Sequence, residues 1–388
     1  MKSRKLLMIP GPIEFEPEVL QAIGAPTTSH VATNFINSFG NCLEMMREVW
    51  QSPTGQPFII AGSGTLAMDM AAVNLIEPND NVLVLSTGYF GERYAEIVKR
   101  YGANVTILTT EPGNTIALEK IENELSTKDY KLLTITHVDT STGVLVNPEP
   151  ITKLAQKYNT LSILDGVCSV AGEEIKQDEW GIDVVLTASQ KAIGVPPGLA
   201  LLMASKKAMA VFKNRKAPVQ NYYADFTNWL PIMQAYENRN PSYFGTPPVN
   251  LIAGLEISLK QIVDEGINNR FARHKKIGTA FRQAMLAIGM KLLPNHKNNS
   301  ANTLTATYYP NNINGADFLK QIGNNNVIIA GGLLPSHKTQ YFRVGHMGSV
   351  NSNDILATIG AIESSLIACK FQYEQGIGIK TALNIINT

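Results

Sequence analysis

Cysteine is scarce in this chain of 388 residues, which carries three thiols, Cys42, Cys168 and Cys369, far apart and without paired spacing. That argues against a disulfide framework and against a thiolate metal site. The six histidines are scattered and form no His-Glu-x-x-His pattern, so no metal is expected. An excess of one charge is also missing. With 33 Lys and Arg against 32 Asp and Glu and no extended basic run, neither nucleic acid nor an anionic membrane is an expected partner. No apolar stretch reaches the roughly 18 residues of a membrane-spanning helix. The start, Met1-Lys2-Ser3-Arg4-Lys5, is basic, but Leu6-Leu7-Met8-Ile9 is stopped at once by Pro10-Gly11-Pro12, too soon for a secretory core. Ile386-Asn387-Thr388 is not a peroxisomal address, and a cytoplasmic location is expected. What remains, 44% hydrophobic and 17% charged residues, describes a globular chain long enough for two domains, with small-molecule chemistry as the default.

From Pro57 to Ala204 short apolar runs alternate with amphipathic ones: Phe58 to Ile60, Val82 to Leu85, Val105 to Leu108, Leu132 to Ile135, Leu161 to Leu164, Val184 to Leu186 and Leu199 to Met203. Continuously apolar runs fit strands buried on both faces by crossover helices, so the expected fold is α/β, with a mostly parallel seven-stranded sheet between helices. Ligands then gather at the carboxyl ends of the strands. Ahead of the sheet, Ile36, Phe39, Leu43, Met46 and Trp50 recur at helical spacing as a packing face. After an aromatic, turn-rich segment, Tyr222–Pro248, two long helical patterns run over Val249–Glu265 and Asn269–Ile288. Strand-like runs at Met290–Leu293, Thr303–Tyr309, Val327–Ile329 and Tyr341–Val344, with helices near Ala316–Gly323 and Asp354–Cys369, read as a smaller α+β domain. The expected division is an arm over 1–20, a large domain over 21–265 and a small one over 266–388. There is no internal repeat, and the Asn-rich stretches Asn295–Asn299 and Asn311–Asn314 read as exposed turns.

Lys191 is the most informative residue. It closes Thr187-Ala188-Ser189-Gln190-Lys191 just after a buried-strand run, where a lysine is costly, and the earlier run Leu161–Leu164 ends in Asp165. Two parallel strands can therefore deliver an amine and a carboxylate to one sheet edge. That pair suits pyridoxal phosphate, whose aldehyde takes a lysine as a Schiff base and whose ring nitrogen is kept protonated by a carboxylate. Gly62-Ser63-Gly64-Thr65 follows a strand and opens a helix, so free N–H groups there suit a phosphate, although a plain tight turn reads the same way. Phe90, in Thr87-Gly88-Tyr89-Phe90-Gly91, is either a ring for the pyridine to lie on or ordinary core. The hydroxyls of His137-Val138-Asp139-Thr140-Ser141-Thr142-Gly143 are cofactor contacts or a polar turn. Thr187, Ser189 and Gln190 place hydrogen-bonding groups beside Lys191, as phosphate and aldehyde recognition require. A lysine near the cofactor's positive charge is expected to have a lowered pKa. Arg343, in Phe342-Arg343-Val344-Gly345-His346, suits a substrate α-carboxylate, or else an internal salt bridge.

Together, Gly62 to Thr65, His137 to Gly143, Asp165-Gly166-Val167, Thr187 to Lys191, Tyr243-Phe244-Gly245-Thr246-Pro247-Pro248 and Arg343 resemble class V, fold type I pyridoxal phosphate aminotransferases. Within that class the chain looks most like the alanine–glyoxylate and serine–pyruvate aminotransferases, including Pro10-Gly11-Pro12 and the His30 region. The resemblance implies Lys191 as the Schiff-base lysine, Asp165 as partner of the pyridine nitrogen, Phe90 as stacking ring and Thr140 as ring contact. It implies Gly64, Thr65 and Gln190 as phosphate ligands, Tyr243 and Thr246 reaching the phosphate of a neighbouring subunit in a homodimer with shared sites, and Arg343 on the substrate carboxylate. Thr65 stands where some relatives have histidine, and Asp139 where many have glutamate. The implied activity is ping-pong transamination from a small amino acid, alanine or serine, to a small 2-oxo acid, glyoxylate or pyruvate. A single carboxylate-binding arginine favours such small neutral side chains. The alternatives are a lyase such as a cysteine desulfurase, which needs a mobile thiol after the lysine where none occurs before Cys369, and a non-catalytic cofactor-binding protein. An NAD-dependent dehydrogenase is disfavoured by the missing third glycine.

Overall fold

A computed structural model describes residues 5–388. Twelve strands are present among them: β1 (Leu6–Leu7), β2 (Gln56–Gly62), β3 (Asn81–Ser86), β4 (Asn104–Thr109), β5 (Leu132–Thr136), β6 (Leu161–Asp165), β7 (Val184–Ala188), β8 (Gly198–Ala204), β9 (Leu304–Tyr308), β10 (Val327–Ile328), β11 (Ala330–Gly331) and β12 (Tyr341–Gly345). Seven of them form one sheet in the order β2-β8-β7-β6-β5-β3-β4, and all seven expected runs are in it. Neighbours from β7 to β4 pair in parallel, whereas β8 runs antiparallel to both β2 and β7. Every residue of β5, β6 and β7 is buried, which explains their uninterrupted apolarity, while the edge strand β4 is largely open. The chain leaves β3 outward to β4 and returns inward to β5. Their carboxyl ends therefore flank a topological switch point, the usual place for a ligand crevice.

Helices α1 (Pro17–Ile23), α2 (Thr33–Val49), α3 (Gly64–Val73) and α4 (Tyr89–Arg100) open the chain. The face of α2 that carries Ile36, Phe39, Leu43 and Met46 is buried, as is Trp50 at its end. A long helix, Val249–Glu265, packs beside α2, and Glu256 accepts from Asn41 Nδ2 at 2.7 Å. The aromatic segment before it contains a helix, Phe226–Glu237, that its internal Pro231 hides from a periodicity argument.

A second core gathers Met8, Ile277, Phe281, Met285, Phe318, Ile322, Phe342, Val344, Ile355, Ile359 and Ile362. Its antiparallel sheet has the order β11-β12-β9, and β1 pairs in parallel with β10. The run Met290–Leu293, expected as a strand, is not one. Leu292 makes only an isolated bridge to Thr307, while Met290 and Leu293 are buried, so the run is apolar for the sake of the core without a ladder. The helix Ile267–Ala287 begins against the first core and ends in the second. Met8 belongs to the second core and Ile13 to the first, so the chain between them crosses from one to the other.

Candidate active site

The strand-end geometry brings the two expected charges together. Asp165 is the last residue of β6, and β6 pairs with β7, Asp165 opposite Leu186; Lys191 follows β7 by three positions. Both side chains are buried, at 3% and 7% exposure. Burial pushes the Asp165 carboxyl up to about 7, against the pull of the Val167 N–H that donates to Oδ1 at 3.0 Å; Asp139 adds to the rise, while Lys191 and Arg93 oppose it. A carboxyl so raised by burial gains most from a cation or a positively charged N–H beside it. Burial lowers the Lys191 amine, and Arg343 lowers it further, against Cys168, Asp165 and Asp139. The expected direction holds, with desolvation as its main cause.

Above the amine lies the segment Pro10-Gly11-Pro12. Lys191 Nζ donates to the Pro10 carbonyl, and Ile13 N–H donates to Gln190 O at 3.2 Å. Gly11 has φ +103°, and a Cβ there would stand 2.6 Å from Lys191 Cδ and 2.9 Å from Nζ. The φ favours glycine, and a side chain there would have to displace the flexible end of Lys191.

The phosphate side is a helix terminus. Ser63 is the N-cap of α3 without a side-chain cap, so the first amides of the helix point outward without a partner from their own cap. A Cβ on Gly64 would meet Val167 Cγ2 at 3.0 Å and Ala188 Cβ at 3.2 Å, which puts this terminus against the ends of β6 and β7. The buried Gln190 Oε1 has no hydrogen-bond partner. The other expected groups beside Lys191 are spent inside the protein: Thr187 Oγ1 donates to Gly166 O at 3.1 Å and Ser189 Oγ to Pro196 O at 2.7 Å. Those two hydroxyls shape the loop, which corrects the expectation that they serve recognition.

The segment after β5 sorts in the same way. Asp139 accepts from the Phe90 N–H at 3.0 Å, the Gly91 N–H at 3.4 Å, and both the N–H and the hydroxyl of Ser141 at 2.8 and 2.6 Å. It therefore holds the start of α4 and fixes the backbone that carries Phe90. Thr142 Oγ1 donates to Thr87 O at 3.3 Å. Of the three hydroxyls, that of Ser141 goes to Asp139 and that of Thr142 to a backbone carbonyl, while that of Thr140 lies beside the Cys168 thiol. His137, whose Nδ1 is 3.0 Å from Ser169 Oγ, is pushed by burial to about 3 and stays neutral.

Arg343 answers the question of its partner. Its Nε donates to Gly331 O at 2.9 Å and Nη1 to Thr140 O at 3.0 Å, and among the described residues it forms no salt bridge. Burial lowers its pKa, opposed by Tyr341, Cys168 and Asp139, none of which forms an ion pair with it. A buried guanidinium held only by carbonyls is a site for an anion.

Arg93 was missed by the sequence reading. Its guanidinium lies 4.9 Å above the Phe90 ring and 5.0 Å above that of Tyr89, and Nη1 is 3.5 Å from Thr65 Oγ1. An arginine one helical turn from Phe90 was the available signal. Tyr243 and Thr246 are not brought to Lys191: Tyr243 is 62% exposed, its OH is 3.5 Å from Thr246 Oγ1 and its ring is 5.2 Å from that of His30. The thiols offer no mobile nucleophile. Cys42 and Cys168 are buried, and Cys369 caps the helix Ser352–Ala368 with its pKa raised by burial.

Comparisons agree with this geometry. Alanine–glyoxylate aminotransferase 1 of Saccharomyces cerevisiae is 39% identical over 366 residues, covering 91% of this chain and 94% of the relative. The alanine–glyoxylate aminotransferase of Nostoc sp. superposes with a TM-score of 0.88 at 30% identity, covering 94% of this chain and 96% of that one. The ureidoglycine–glyoxylate aminotransferase of Bacillus subtilis reaches a TM-score of 0.93 at 26% identity over 100% and 99% of the two chains. The profile of the Aminotransferase class-V family matches residues 18–347, and the chain belongs to that family.

Proposed function

We propose that this protein is a pyridoxal phosphate-dependent aminotransferase that moves an amino group from a small amino acid, alanine or serine, to a small 2-oxo acid, glyoxylate or pyruvate, in a ping-pong cycle. The observation that carries the reading is a buried amine and a buried carboxyl at the edge of the large sheet, faced from β12 of the small sheet by a buried guanidinium that forms no salt bridge. The residues fit the cofactor. The outward amides of α3 at Gly64 and Thr65 suit a phosphate, and Gln190 adds a donor there through its Nε2 group; its unsatisfied Oε1 is an acceptor and does not. Asp165 suits a protonated ring nitrogen, and Phe90 and Thr140 suit the ring faces and edge. Bound there, the cofactor supplies an aldehyde that takes up the amino group and a ring that accepts the electron pair from the substrate's α-carbon.

The chain's own residues do the rest. Arg343 grips the substrate carboxylate through the guanidinium edge that its carbonyl partners leave open, which fixes the α-carbon. Lys191, its pKa lowered by burial, takes the α-proton and returns it, and the Pro10 carbonyl gives its amine a resting partner. Asp165 gives up its proton readily to a basic nitrogen and remains as the anion beside it.

Tyr243 and Thr246, exposed on either side of Phe244, whose ring lies 5.5 Å from that of the exposed Tyr222, support a homodimer in which each subunit completes the other's phosphate site. The unpaired cysteines fit a cytoplasmic location. No helix among the described residues is long and apolar enough to cross a membrane. The test is a panel of alanine, serine, aspartate and phosphoserine against glyoxylate, pyruvate and 2-oxoglutarate. Alanine or serine with glyoxylate should dominate; a dominant dicarboxylate would overturn the substrate assignment, and sulfide release from cysteine faster than transamination would overturn the reaction.

A further inference from the structure

The three strand-end loops that carry Asp165, Lys191 and Arg343 are remote in sequence, yet the first turns of one helix, Ile267–Ala287, bind all three. Arg270 Nε donates to Ala171 O at 2.8 Å, in the turn after Asp165, and Nη2 donates to Ala192 O at 2.7 Å, next to Lys191. Its third edge, Nη1, meets Glu265 Oε2 at 2.8 Å. Arg273 makes a two-point pair with the same carboxylate, Nε to Oε1 at 2.6 Å and Nη2 to Oε2 at 3.0 Å. It also donates to Gly348 O at 3.0 Å and Val350 O at 3.1 Å, in the loop after β12 and Arg343. His274 adds a third contact: its Nε2 accepts the Gly348 N–H at 3.0 Å while Nδ1 faces Arg270 O at 2.8 Å. From the preceding helix, Ser258 Oγ donates to Ile193 O.

The planar fork of a guanidinium fixes the distance between the groups it holds. Arg270 therefore sets the separation of Ala171 and Ala192, and through them of the loops of Asp165 and Lys191. Ala171 sits in the left-handed region at φ +63° without being glycine, a strain that a buried cation on its carbonyl offsets. Neither arginine is implied by the family motifs quoted above, and neither touches the reacting groups.

The structure assigns Arg270 and Arg273, joined through Glu265, as a positioning pair with divided tasks: Arg270 aligns the Lys191 loop with the Asp165 loop, and Arg273 fixes the loop behind Arg343. This rests on the roles given above to Lys191, Asp165 and Arg343. The pair lines a cavity of about 340 Å³ with Gly194, Ser258 and Val350, so a shorter side chain there is replaced by water rather than leaving a closed void.

The experiment uses the holoenzyme and the variants Arg270→Lys and Arg273→Lys, each keeping the charge and losing the fork. Borohydride reduction and peptide mapping of the wild type come first. A label on an amine other than Lys191 overturns the functional reading itself; a label on Lys191 leaves the pair as the only claim under test. Arg270→Lys should lower kcat about 10- to 100-fold with the KM for alanine nearly unchanged, and shift the pH midpoint of the cofactor's visible absorption band. Arg273→Lys should raise the KM for alanine with kcat and that midpoint nearly unchanged. Ser258→Ala, which frees the Lys191 loop without touching either arginine, should shift the midpoint in the same sense as Arg270→Lys, and it decides the matter if an arginine variant does not fold. Equal losses of melting temperature with no split between kcat and KM and no shift in midpoint would make the pair merely structural and overturn the assignment.

Discussion

Arg343 and Arg270 are both buried guanidiniums whose hydrogen bonds go chiefly to backbone carbonyls, and they differ in what is left over. Arg270 spends two edges on Ala171 and Ala192 and the third on Glu265, a carboxylate that it shares with Arg273. Arg343 is held by Gly331 and Thr140 and forms no salt bridge among the described residues. The same contrast separates two buried aspartates: Asp139 accepts four hydrogen bonds, whereas Asp165 accepts one, from Val167. Buried charge that the protein satisfies builds the frame, and buried charge that it leaves unsatisfied waits for a ligand.

The largest effect tests the amine at the centre of the unsatisfied set. Lys191→Ala should cost about a thousandfold or more in transamination and abolish borohydride labelling at that position, while the fold survives by far-ultraviolet circular dichroism. The two arginines should then part company. Arg343→Gln should raise the KM for alanine about 100-fold and leave the apoprotein as stable as the wild type in urea or more so. Arg270→Gln should cost about 1–3 kcal/mol of stability, because it leaves the buried carbonyls of Ala171 and Ala192 without their donor while Glu265 keeps Arg273. If both arginines destabilise equally, the contrast fails.

A pH series sharpens it further. The folded value of the Asp165 carboxyl, about 7, lies above its ordinary 3.8, so between those values the folded apoprotein holds more protons than the unfolded chain. Stability must fall as pH rises through that window and level off above it. Glu173, also raised by burial to about 7, gives a slope of the same sign. The signature is therefore the difference between wild type and Asp165→Asn, measured by urea unfolding at pH 4 to 8, and the variant should be flatter. The smallest expected effect is Asp139→Asn, about 1–3 kcal/mol of stability with the KM for alanine unchanged, since its bonds hold the start of α4 and not the substrate.

The sheet was legible because both-face burial writes uninterrupted apolar runs, and the amine and carboxylate were legible because each ends such a run. Phe90 and Thr140 follow strand ends and were placed at the sheet edge by the same logic, whereas Arg343 lies within β12 and took its role from the family resemblance. What escaped has no local period. The pairing of β1 with β10 involves two residues on each side and more than 300 positions of separation. The strand expected at Met290–Leu293 failed because apolarity reports burial, and burial does not require a ladder. Thr187 and Ser189 could not be told from ligands, since their acceptors, Gly166 and Pro196, are carbonyls that every sequence position offers. Arg270 and Arg273 look like the solvated side of a helix until the loops they hold are folded against them.

Pro10-Gly11-Pro12 has the look of a dispensable linker, and its contact with Lys191 gives it a different standing. In a saturation library of this chain, position 11 should be among the least tolerant outside the charged residues, since its φ favours glycine and any side chain would have to push the end of Lys191 aside. Screens that count only chemical functionality would pass it over.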